Sequence, residues 1–167
     1  PMEKFLKKFG LKKISHGYQS FSPGNERKVI FTDNKNFNFI PLVCYEIIYS
    51  GKVKSKSSDT NFIINISEDG WFGNSIGPHQ HFSHTIFRAI EEGKNIIRSA
   101  NNGISAYIDS NGIIISKLES TKKGVIEINN YKKFNETLFS KFGNKIFFYI
   151  VLIYIGLIFF IRRWENK

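Results

Sequence analysis

From Ile146 to Ile161 the chain carries no charged residue, and only Tyr149, Tyr154 and Gly156 interrupt a run of Ile, Leu, Val and Phe. An amphipathic surface helix needs a polar face, and this run has none. Crossing a bilayer takes roughly 20 apolar residues, with a floor near 17. Residues 142–164 meet that length if Lys145 and Arg162 extend their charged ends to the interface. The expectation is one C-terminal transmembrane helix, with a buried core helix as the alternative. Lys141 and Lys145 precede the run and Arg162, Arg163 and Lys167 follow it, so charge does not set its orientation.

The chain ahead of that run is long enough for one domain. Hydrophobic residues make up 41% of the 167 and aromatics 16%, which supplies a core and excludes a disordered chain. A net charge of +10 favours an anionic partner, nucleic acid or an acidic membrane surface. No arginine-rich recognition helix or zinc-finger spacing accompanies it, so the reading is no nucleic acid. One cysteine, Cys44, excludes an internal disulfide. No charged n-region leads into an apolar h-region. The initial proline suggests a natural chain that begins further upstream.

Three regions follow. Residues 1–36 form a basic connecting segment. In it Lys4, Lys7, Lys8, Lys12 and Lys13 flank Phe5, Leu6, Phe9 and Leu11, as a solvated connector or a short amphipathic helix stopped by Gly10. Ser22-Pro23-Gly24 is a turn signal. Residues 37–135 carry the α/β pattern. Phe37 and Phe39 alternate with Asn, and a buried strand runs to Cys44. A short helix or turn at Ile47 to Tyr49 and a polar connector from Lys52 to Thr60 come next. Phe62 to Ile66 make a second buried strand, closing at Ser67-Glu68-Asp69-Gly70. Pro78 opens a helix whose apolar face is Phe82, Ile86, Ala89 and Ile90, and Gly93 stops it. Three strands follow, Ile96 to Ser99, Ile104 to Asp109 and Ile113 to Lys117, separated by Asn102-Gly103 and Asn111-Gly112. Val125, Ile126 and Ile128 make a last strand. The third region is the helix at 142–164.

Cys44 is the candidate nucleophile. A lone cysteine ending a buried strand is ordinarily a small hydrophobe. Here Tyr45 and Glu46 follow it where the strand yields to a tight turn. Such an elbow lifts a nucleophile out of the sheet, and the Tyr45 N–H can donate to a developing oxyanion. The stretch from Asn65 to Pro78 puts polar residues at a strand end, turn glycines and the pair Trp71-Phe72 into one active-site loop. The alternative is that Trp71 and Phe72 plug the core. Of His79, His81 and His84 only the last two share a helix face, without cysteine or HExxH partners. They read as surface or capping histidines, so neither metal nor cofactor is expected.

Together, PLVCYEII, NISEDGWFGNSIGPHQH and FRAIEEGKNIIRSANNGISAYIDSNG, followed by an apolar helix, resemble the apolipoprotein N-acyltransferase family. That family is a branch of the carbon–nitrogen hydrolase (nitrilase) superfamily, and the likeness covers Phe37 to Gly112 plus the last helix. The resemblance implies the C-terminal part of a nitrilase-like αββα sandwich, outside the bacterial inner membrane on the periplasmic side, with a cytoplasmic C-terminus. It implies a Glu–Lys–Cys triad in which Cys44 matches the nucleophile. Tyr45 and Glu46 match supporting residues, and Trp71 and Phe72 match a loop bordering the pocket. A phospholipid acyl donor and an apolipoprotein acceptor would be served in turn through a Cys44 thioester. The family's glutamate and lysine lie upstream of the cysteine, and Lys4, Lys7 and Lys8 do not sit in the family's lysine motif. The expectation is therefore a fragment or the product of a split gene, inactive alone, with its missing N-terminal part as a partner if supplied in trans. A nitrilase-type amidase acting on a small soluble amide and a non-catalytic membrane-anchored remnant are the alternatives.

Overall fold

The computed structural model of the chain describes residues 24, 26–32, 37–53, 60–132 and 135–165. The lysine-rich stretch at 4–13 and most of the 52–60 connector lie outside them. The strand patterns become one six-stranded sheet whose strands lie in chain order. These are β1 Ile30–Phe31, β2 Asn38–Val43, β3 Phe62–Glu68, β4 Asn95–Asn101, β5 Ser105–Ile108 and β6 Ile114–Leu118. β2, β3 and β4 are parallel, while β1, β5 and β6 are antiparallel to their neighbours. β1 lies within the segment expected to be a connector. It pairs only with Asn38 and Phe39. Two residues on stands Pro41, which has no N–H for a further ladder bond and is tolerated where that edge is free.

Register explains the core. Ile40, Ile63, Ile96 and Ile108 align across four strands, and all four are buried. At roughly 1.5–3 kcal/mol per buried side chain, this row is a main stabilising element. Two residues along, Leu42, Asn65, Arg98 and Ala106 align in the same way. The helix α1, Gly77–Glu92, covers this face with Phe82, Ala89 and the half-buried Ile86. Ile90, expected on the same face, is 46% exposed. Each four-residue step overshoots a helical turn by about 40°, and two steps from Phe82 carry Ile90 to the rim. There it meets the β5–β6 turn at Gly112.

Val125, Ile126 and Ile128 do not form the expected strand; among the described residues none follows β6. Ile126 and Ile128 instead border a cleft with Ile97, Ala106 and Leu118. Apolar alternation reports one-sided burial, and a segment lying on a sheet achieves that without joining the ladder. The C-terminus also differs from expectation. Phe142 ends a short helix α2, Leu138–Phe142, capped by Thr137, whose hydroxyl accepts from Ser140 N–H. Gly143, at φ 56°, breaks the path, and α3 spans Lys145–Glu165. Its 20 residues to Trp164 contain an 18-residue window of mean hydropathy 2.1, none of which is buried.

Candidate active site

Cys44 opens the 3₁₀ turn Cys44–Ile48 immediately after β2, with φ at 51°. That backbone region costs an L-residue roughly 1–2 kcal/mol, so the surroundings must hold it. The Glu46 carboxylate accepts from Val43 N–H at 2.8 Å, closing the turn on itself. Arg27 reaches both Glu46, at 3.4 Å, and the Pro41 carbonyl, at 3.2 Å. From β3, Asn65 Nδ2 donates to the carbonyls of Leu42 at 3.0 Å and Cys44 at 3.4 Å. Beyond the cysteine, Ile47 is fully buried, and Arg88 of α1 donates to the Ile48 carbonyl at 3.2 Å. Cys44 as a whole is half-buried.

Val43, Ile66 and Ser99 share one register position, so Cys44 and Ser67 meet at the C-terminal edge of the parallel strands. Ser67 Oγ lies 3.7 Å from Cys44 Sγ and 2.8 Å from Asp69 Oδ1. Asp69 Oδ1 also meets His81 Nδ1 at 2.9 Å, and Asp69 Oδ2 accepts from Arg98 Nη2 at 2.7 Å. Arg98 further donates to Asn65 Oδ1 and to the Ile104 carbonyl. One buried chain of polar groups thus runs from β4 to the sulfur and, through Asn65, to the elbow backbone. Burial pushes the Asp69 carboxyl up, but the Ser67 hydrogen bond, the Arg98 charge and His81 leave it below its usual value. Burial also lowers Arg98, against the opposing pull of Asp69 and of a negative Cys44. Glu68 is held low by hydrogen bonds from Asn101 and the Gly70 N–H.

His81 is a correction. It was expected at the surface or as a cap, yet its side chain is 1% exposed. A histidine facing the sheet is tolerable once Asp69 and Arg98 supply partners. Tyr45 stacks on it at 5.1 Å between ring centres and lies 6.0 Å from Phe72. Tyr45, Phe72, His81 and His84 border a cleft of about 100 Å³. Trp71, by contrast, is 87% exposed, so neither it nor the half-buried Phe72 plugs the core. Among the described residues no set of three His, Cys, Asp or Glu side chains converges as metal ligands. Sequence reasoning passed over Asn65, Ser67, Asp69 and Arg98 individually. The legible sign was Arg98, a charge in phase with the buried Ile96.

The sheet and elbow together define an α/β protein that presents a thiol where the first of three parallel strands ends. Residues 11–129 match the carbon–nitrogen hydrolase family, and the chain belongs to that family. A carbon–nitrogen hydrolase from Helicobacter pylori G27 shares the fold, with a TM-score of 0.51 and 16% identity over 62% of this chain and 43% of that one. Nearer in sequence is the apolipoprotein N-acyltransferase of Rickettsia bellii, 39% identical over 145 residues, 84% of this chain and 29% of that protein. The apolipoprotein N-acyltransferase of Wigglesworthia glossinidia brevipalpis is 42% identical over 130 residues, 76% of this chain and 26% of that protein. The chain thus spans less than a third of the length of these relatives.

Proposed function

We propose that this chain carries the nucleophile-bearing part of an apolipoprotein N-acyltransferase. The Cys44 thiolate attacks the ester carbonyl of a phospholipid, the lysophospholipid leaves, and a thioester forms. The α-amino group of an apolipoprotein's diacylglyceryl cysteine then attacks the thioester, releasing the amide and restoring the thiol. The Tyr45 N–H, next after the nucleophile in the elbow, is the oxyanion donor. Among the described residues no hydrogen bond or ion pair joins Cys44 to a carboxylate or an amine. The glutamate base and the lysine of the family triad therefore come from the N-terminal part of the enzyme, in cis or in trans. α3 anchors the site at the bacterial inner membrane, with the catalytic part on the periplasmic side and the C-terminus cytoplasmic. Tyr45 and Glu46 support the elbow, and Phe72 with Trp71 borders the lipid.

The observation that carries this reading is the elbow: a half-buried cysteine at φ 51°, held by Glu46 and Asn65. Intact-mass spectrometry of the membrane-bound chain, together with the N-terminal part and phospholipid vesicles, tests it. An acyl adduct that neutral hydroxylamine removes, and that Cys44→Ala lacks, is expected. No adduct under those conditions favours the remnant. Turnover of small amides without lipid favours the amidase.

A further inference from the structure

Ser67 faces two acceptors with one proton. Its Oγ is 2.8 Å from Asp69 Oδ1 and 3.7 Å from Cys44 Sγ. A carboxylate is acceptor-only, so while Asp69 is ionised the hydroxyl proton goes to Asp69. Only a lone pair is then left for the sulfur. That suits a thiol, whose S–H can donate to Ser67 Oγ. It does not suit a thiolate, which would meet the lone pair of another acceptor. When Ser67 turns away, Asp69 loses one hydrogen bond but keeps two partners, His81 Nδ1 at 2.9 Å from Oδ1 and Arg98 at 2.7 Å from Oδ2.

We propose that Ser67 is a catalytic hydrogen-bond switch for Cys44, accepting from the thiol and turning its hydroxyl to donate to the thiolate, with Asp69 as the positioning residue that accepts the hydroxyl's hydrogen bond between turnovers. This rests on the reading of Cys44 as nucleophile. The thiol proton leaves to a base, or to water outside turnover, and Ser67 keeps its own proton throughout. The other ionisable or charged groups around the elbow are Arg27 ahead of β1, Tyr45 and Glu46 on the turn, Glu68 on β3, His81, His84 and Arg88 on α1, and Arg98 on β4. None of them makes a hydrogen bond to the sulfur among the described residues. A donor to the charged form favours that form, so the switch stabilises the thiolate only once it exists.

The chain has a single cysteine, so iodoacetamide alkylation reports on Cys44 alone: an S–C bond forms and iodide leaves. In detergent micelles, the alkylation rate of the full chain rises with pH to a midpoint. Ser67→Ala is expected to raise that midpoint by about one unit, making alkylation about tenfold slower below both midpoints. Ser67→Thr, which keeps the hydroxyl, is expected to retain the wild-type midpoint. A Ser67→Ala profile superimposable on wild type overturns the proposal. Should that variant not fold, the S–H stretching band of the wild-type chain decides. A band below the free-thiol frequency supports donation to Ser67, and a band at the free-thiol frequency overturns it. Failure to form an acyl adduct in the presence of a Ser67-dependent midpoint would instead count against the acyltransferase reading alone.

Discussion

Arg98 and Asp69 are both fully buried and meet at 2.7 Å. Removing one of them leaves the other's charge buried and uncompensated, which costs more than the pair contributes. Arg98→Met should therefore destabilise the chain by about 3–5 kcal/mol in chemical denaturation. The pH dependence has a definite sign. Asp69 has a folded pKa depressed below its ordinary value of 3.8, so its contribution is complete above that value. It is lost as pH falls through the lower folded value. The gap between wild type and Arg98→Met is accordingly expected to narrow in acid below about pH 4, measured by denaturation at several pH values. The same residues show what the sequence withheld. The elbow at Cys44 was legible because it is local, made by neighbours in the chain. His81 and Arg98 lie 12 and 29 residues from Asp69, and only the pairing of β3 with β4 and the docking of α1 bring them together.

Among the elements, α1 is where local grammar and packing coincide. Pro78 in the first turn and Gly93 at the end were both readable. Gly93 adopts φ 62°, and a Cβ there would stand 2.8 Å from the Asn135 carbonyl oxygen. Gly93→Ala should cost at least about 1 kcal/mol by thermal or chemical denaturation. One residue earlier, Glu92 is buried against α2 and accepts from Ser140 Oγ at 2.9 Å. Burial raises its pKa above 4.5 despite that hydrogen bond. A raised carboxyl favours folding below its unfolded value and loses that contribution as pH rises through the folded value. Glu92→Gln should match wild type in acid and become the more stable of the two toward neutral pH, read from unfolding midpoints across that range. The hairpins at Asn102-Gly103 and Asn111-Gly112 were equally plain, since the turn chemistry is carried by two adjacent residues. The segment at Val125 to Ile128 was not, because whether an apolar stretch pairs or merely lies on a sheet depends on edges far away in sequence.

At the scale of the molecule, α3 stands out among the long elements: nothing among the described residues buries its apolar stretch. From Phe147 to Ile161 each side chain except Val151 is exposed. Exposure on all sides is far beyond the few hundred Å² of contiguous apolar surface that a water-soluble protein ordinarily shows. At about 1.5 Å per residue the helix is about 30 Å long, the thickness of a bilayer's hydrocarbon core. It is also tied to the site. Asn144, just ahead of α3, donates to the Ser50 carbonyl at 3.5 Å, and Ser50 lies two residues past the turn that Cys44 opens. A bilayer around α3 would therefore hold the elbow near its surface, where a lipid ester is within reach. Ile153 is 64% exposed near the helix midpoint. Arginine in place of isoleucine there should disfavour insertion by about 3–4 kcal/mol, shifting the ratio of inserted to uninserted chain roughly 150- to 900-fold in a translocon insertion assay. Arginine at Glu165, beyond the apolar run, should leave insertion unchanged. Equal insertion of wild type and Ile153→Arg would instead mean that another protein surface, not lipid, covers this helix.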